Sequence, residues 1–139
     1  MRSNAKQFIL GIIAVLAFIV PSIVSAESET EDPGNFTVVY MGRVFDVAAS
    51  QTTFTYLVSG TGVAPDLSHF NLEIPQCTPS LGIASFSPMS GVEIGTDPTT
   101  GIRGIKWDVP LLTTDARSYS ITFAGEVAER EVRAAVKAG

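Results

Sequence analysis

The run Val92-Glu93-Ile94-Gly95-Thr96-Asp97-Pro98-Thr99-Thr100-Gly101-Ile102-Arg103-Gly104-Ile105-Lys106-Trp107-Asp108 decides the fold class, because it reads as strand, turn and strand. Asp97 accepts hydrogen bonds from backbone groups just ahead of it, Pro98 presets φ for a turn, and Gly101 tolerates φ > 0. Before the turn Val92 and Ile94 alternate with Glu93. After it Ile105, Trp107 and Val109 alternate with Gly104, Lys106 and Asp108, the period of two that a half-buried strand shows. Arg103 falls on the apolar side but near the turn, where its long stem can carry the charge to water.

The flanking chain repeats the pattern. Phe36 to Val47 is rich in β-branched and aromatic residues, with a bulge or bend expected at Gly42. Gln51 to Ser59 sets Phe54, Tyr56 and Val58 against Thr53, Thr55 and Ser59, with Leu57 as the exception. Phe70, Leu72 and Ile74 alternate with Asn71 and Glu73 until Pro75 ends the strand. Ile83 to Phe86 is a short strand, and Tyr119, Ile121 and Phe123 point inward from another. Glu126 to Ala138 has helix-forming composition, yet Val132, Ala134 and Val136 alternate with charged and small residues; a closing strand over about 131–137 after a turn at Gly125 is the expectation, with a helix over 126–138 as the alternative. Short strands separated by turn signals predict an all-β fold, a single antiparallel β-sandwich or Greek-key-like domain.

Composition narrows the function classes. Arg2 and Lys6 precede the apolar run Phe8–Val20, Pro21 breaks it, and Val24-Ser25-Ala26 offers small residues for cleavage. Residues 1–26 therefore read as a signal peptide cut after Ala26, 27–34 as an acidic linker, and 35–139 as the β-sandwich domain. Export to the cell surface or extracellular space is the expectation, with no membrane span after signal removal. The formal net charge is −5, and two of the nine basic residues lie in the signal. A chain this acidic is not expected to bind nucleic acid, which needs clustered Lys and Arg.

Cys77 is the single cysteine. It reads first as a small buried apolar residue, and second as an intermolecular disulfide. The Asn35-Phe36-Thr37 sequon is a short match that carries weight only in a glycosylating host.

No catalytic signature is evident. Ser68, His69 and Asp66 suggest a hydrolase triad, as does Cys77 with His69, but sequence neighbours rarely converge into a triad and no G-x-S-x-G elbow is present. A structural role for His69, bonding loop backbone, is the simpler reading. Asp97, Asp108 and Asp66 are weak calcium candidates, since hard cations gather oxygen ligands at loop ends, but no D-x-[DN]-x-[DN]-G run supports them. One His and one Cys do not suffice for a structural zinc site, and no cofactor is expected. Trp107, Tyr40, Tyr56 and Tyr119 read as core before they read as a sugar-binding face.

Leu67-Ser68-His69-Phe70, then Leu72-Glu73-Ile74-Pro75-Gln76-Cys77, then Gly95 to Ile102 and Gly104 to Asp108 resemble an uncharacterised family of exported and surface-attached bacterial proteins. Its motifs run LSH(F/W), E(I/L)PxC and GTDPTTGIxGIKWD. The resemblance covers roughly residues 52–124 and the closing Val136-Lys137-Ala138-Gly139. It implies a secreted β domain of unknown function and supplies no catalytic residue. The function expected is a non-catalytic binding or extracellular interaction module with a protein or glycan partner, and a small secreted hydrolase is the alternative.

Overall fold

The computed structural model describes residues 34–76 and 82–139. The segment expected to be a signal peptide, nearly all of the expected acidic linker and Cys77 lie outside the described residues. Eight strands follow in order: β1 (Phe36–Asp46), β2 (Gln51–Gly60), β3 (Leu67–Glu73), β4 (Ile83–Ser87), β5 (Val92–Thr96), β6 (Arg103–Trp107), β7 (Ala116–Ala124) and β8 (Ala134–Ala138). They form two antiparallel four-stranded sheets, ordered β1-β2-β7-β4 (sheet A) and β5-β6-β3-β8 (sheet B). The fold is an all-β sandwich.

Alternation explains which side chains meet. In sheet A, Tyr40 pairs across to Tyr56 and Tyr56 to Tyr119. In sheet B, Phe70 pairs with Trp107 on one side and Val136 on the other. The two rows face each other between the sheets. Trp107 is fully buried, stacks on Phe70 with ring centroids 5.6 Å apart, and meets the edge of Tyr119 at 5.2 Å. Its indole N–H donates to Pro88 O at 3.0 Å, so its one polar atom is satisfied. Burial lifts the Tyr56 hydroxyl to a pKa of about 12, with Glu129 adding to the shift. The aromatic residues expected in the core are there, with Tyr40 only half-buried.

The strand readings agree with the structure in type and differ at ends. The Gly42 irregularity is a register shift between Tyr40 and Gly42. β3 begins at Leu67, earlier than expected, because a second bulge at Leu67/His69 lets the strand absorb Ser68. The C-terminal segment closes sheet B as β8, although it begins at Ala134 rather than near Glu131. Tertiary pairing outweighs helix propensity there: Ala134 and Val136 fill the row beside Leu72 and Phe70.

Ile94 departs from its expected burial. It pairs with Ile105 on the inner side, yet it is 59% exposed, since β5 is the edge of sheet B. The segment 125–133 crosses from sheet A to sheet B and caps one end of the core. Arg43 Nε donates to Val127 O at 2.6 Å, Tyr40 Oη donates to Glu129 at 2.6 Å, and Val127 N donates to Thr52 Oγ1. Beneath it an apolar cavity of about 50 Å³ remains between the sheets, the imperfectly filled end of the core.

Candidate functional site

The outward side of sheet B is built from the row Glu93, Lys106, Asn71 and Ala135, set by pairing across four strands. Such a row ordinarily faces water. Here the segment 96–102 folds back over it, and the local chemistry of the turn explains how. Asp97 Oδ2 accepts from Thr100 N at 2.8 Å and from the Thr100 hydroxyl at 2.9 Å. Gly101, at φ 69°, donates its N–H to Asp97 O, and Asp97 N donates to Ile102 O.

The turn is also tied to the sheet. Because the Thr100 hydroxyl donates to Asp97, it accepts from Asn71 Nδ2 at 2.8 Å. That direction fixes the Asn71 amide and leaves its Oδ1 facing away from Thr100. Gly104 permits the close packing of β6 on β3, since a Cβ there would lie 1.9 Å from Leu72 O. Its cross-strand partner Gly95 would carry a Cβ into open space.

The product is a recess of about 300 Å³ whose floor at Gly95 and Gly104 has no side chains. Asn71, Glu93, Asp97 and Lys106 line it, with Ile94 and Ile102. Lys106 Nζ sits 3.0 Å from Asp108, 3.3 Å from Glu93 and 3.8 Å from Asp97 Oδ1. Asp108 and Glu93 raise its pKa, so it is an ammonium. His69 lies beside this group, with Nε2 3.8 Å from Asp97 Oδ2 and Nδ1 3.9 Å from Asp108 Oδ1. Burial depresses the His69 pKa below its ordinary value, helped by Lys106 and Lys137 and opposed by Asp97 and Asp108, so the ring is neutral at pH 7. Burial works to raise the Asp97 pKa, but the Thr100 hydrogen bonds, with His69 and Lys106, hold it below the ordinary range.

Among the described residues, four buried side-chain polar atoms lack a hydrogen-bond partner, and three of them belong here: His69 Nε2, Asn71 Oδ1 and Asp97 Oδ1. His69, Asn71 and Asp97 are 8%, 1% and 6% exposed. Leaving such groups unmatched costs on the order of 1–3 kcal/mol each, which a fold keeps only where something compensates.

The sequence-predicted residues divide accordingly. Ser68 Oγ and His69 Nδ1 are in contact at 3.3 Å, while Asp66 is occupied by the Thr113 N–H at 2.9 Å. The carboxylates that face His69 are Asp97 and Asp108. The His69 ring meets side chains, Ser68 among them, rather than the loop backbone expected for it. Asp97 and Asp108 both flank Lys106, and among the described residues no three His, Cys, Asp or Glu side chains gather as a metal site. Asn35, at the sequon, is buried and donates through Nδ2 to Pro65 O, so the folded domain does not present its amide.

Asn71, Thr100 and Gly95 escaped the sequence reading. Asn71 looked like the outward half of an alternation, and only its position opposite Lys106 gives it a role. No family model, curated protein or solved structure matches the chain.

Proposed function

We propose that the protein is an exported, non-catalytic binding module that recognises its partner through the recess over Gly95 and Gly104. One observation carries this reading: Asn71, Glu93, Asp97 and Lys106, polar side chains on the outward side of a sheet, line a preformed recess of about 300 Å³ and are held there by ion pairs and hydrogen bonds to one another and to Thr100. Fixed polar groups converging on a concavity are what a recognition site requires. The Asp97–Thr100–Asn71 chain of hydrogen bonds holds those groups before any ligand arrives, which lowers the ordering cost of binding. Export rests on the N-terminal sequence pattern.

A thermal-shift screen of small polar solutes against the native chain and Gly95→Val tests it. The Cβ added at Gly95 meets no atom within 4 Å and lies on the Glu93 and Lys106 side of the sheet, the side of the recess. Solutes that raise the Tm of the native chain and not of Gly95→Val support the reading. Equal responses in both proteins defeat it.

The contact between Ser68 Oγ and His69 Nδ1 favours a second reading, a small secreted hydrolase. The Ser68 hydroxyl also donates to Lys137 O at 3.2 Å, which competes with its activation by His69. Ester hydrolysis that is lost in Ser68→Ala, with the melting temperature unchanged, would replace the binding reading by the catalytic one.

A further inference from the structure

From the composition of the outward side of sheet A we infer that it is the interface of a homodimer, two copies packing these sides back to back. Its rows follow from register. Val39 pairs with Leu57 and Leu57 with Ser118, Val44 pairs with Thr53, and Ser120 pairs with Ser87. Among the described residues, Asp46 at the end of β1 is the one charged side chain in these rows, in a chain of 9 basic and 14 acidic residues. Along the β1 margin Val39, Met41 and Val44 are 47%, 58% and 67% exposed. An exposed apolar strip from which charge is excluded has the composition of an interface core.

Self-complementarity selects a second copy as the occupant. Serine and threonine hydroxyls both donate and accept, so a side bearing Thr55, Ser118, Ser120 and Ser87 matches its own image under a two-fold rotation. The chain carries a net charge of −5, and two acidic copies repel through their charged surfaces, whereas this side lets them approach without that repulsion. A flat sugar polymer would need aromatic rings to stack on, and Tyr40, Tyr56, Tyr119 and Phe86 all belong to the inward rows. Strands of 11, 10, 9 and 5 residues, at about 3.4 Å per residue and about 4.8 Å between strands, give a footprint of roughly 570 Å² per copy. Twice that lies just above the roughly 1,000 Å² expected of a specific interface, so the dimer is weak and reversible. Sheet B forms the other layer, and both copies keep its outward side, with the recess, away from the interface.

The experiment is sedimentation velocity of the full chain from micromolar to near-millimolar concentration. It compares the native chain with Leu57→Glu and Ser118→Glu, and with Ser90→Glu, which adds the same charge at an exposed position between β4 and β5. Expected is a monomer–dimer equilibrium in the native chain and in Ser90→Glu. Association should be at least about a hundredfold weaker in Leu57→Glu and Ser118→Glu, because the two-fold axis brings both new carboxylates into one interface. A second measurement needs no substitution: in the native chain, the amide NMR shifts that move with concentration should fall at Val39, Leu57, Ser118 and Ser120. A native chain that stays monomeric at every concentration overturns the inference. So does association unchanged in both Leu57→Glu and Ser118→Glu, equal loss in Ser90→Glu, or concentration-dependent shifts confined to sheet B.

Discussion

The outward sides of the two sheets treat polar residues in opposite ways. On sheet A the outward residues of β2 and β7 include Thr53, Thr55, Leu57, Ser59, Ser118, Ser120 and Thr122, with no charged side chain, and Thr53 and Thr122 bond each other at 2.8 Å. Among the described residues, none of these hydroxyls is buried without a hydrogen-bond partner. On sheet B the outward side carries Glu93, Lys106, Asn71 and His69, and the 96–102 segment covers part of it, so that His69, Asn71 and Asp97 become nearly inaccessible. Alternation is the same in both sheets. The difference arises from a turn that folds back onto its own sheet, and it converts surface residues into buried chemistry.

The contrast predicts a ranking of substitutions. The largest loss lies in the core shared by both sheets: Trp107→Ala should cost on the order of 3–5 kcal/mol in denaturant unfolding, and a variant that unfolds like the parent would remove Trp107 from the centre of the domain. Next comes the covered side of sheet B. Asp97→Ala strips two hydrogen bonds from Thr100 and should cost about 2 kcal/mol, the usual range for bonds to a charged acceptor. On sheet A, Ser118→Ala should change stability by less than about 0.5 kcal/mol. A loss at Ser118 equal to that at Asp97 would erase the distinction between the two sides.

Acid sharpens the same comparison. The folded pKa of His69 lies below its ordinary value, so as pH falls past about 6.5 the unfolded chain takes the proton first. The stability from neutral His69 is complete above that pH and is lost as pH falls towards the folded pKa. Asp97, whose folded pKa is also lowered, contributes stability that is present above about pH 4 and is lost below it. Melting temperature should therefore fall between neutral pH and about 5 in the native protein, and fall less in His69→Gln. An identical pH profile in the two would show that His69 does not titrate against folding.

The fold was legible because strand chemistry is local. Phe54, Tyr56 and Val58 alternate in sequence and fill one side of β2, and Asp97, Pro98 and Gly101 announce the turn by their own conformational preferences. Ile94 misled because burial depends on where the facing sheet ends, which alternation does not encode. The site was legible only in pieces. Asp97, Asp108 and His69 each stood out in the sequence, but their meeting with Lys106 and Asn71 depends on register: Asn71 lies opposite Lys106 across β3 and β6, 35 residues apart in the numbering. Asp66 attracted attention by its closeness in sequence to Ser68 and His69, and the fold assigns that neighbourhood to Asp97 instead.

The central claim is that the 96–102 turn is fixed to sheet B through Asn71 and Thr100, so that the recess exists before any ligand binds. Amide hydrogen exchange of Thr100 and Gly101 tests this most directly. Both amides have intramolecular acceptors in Asp97 and should be protected in the native chain, and Asn71→Leu should release them while Ile105 and Trp107 stay protected. Exchange of Thr100 and Gly101 at the rate of a free loop in the native chain would contradict the claim.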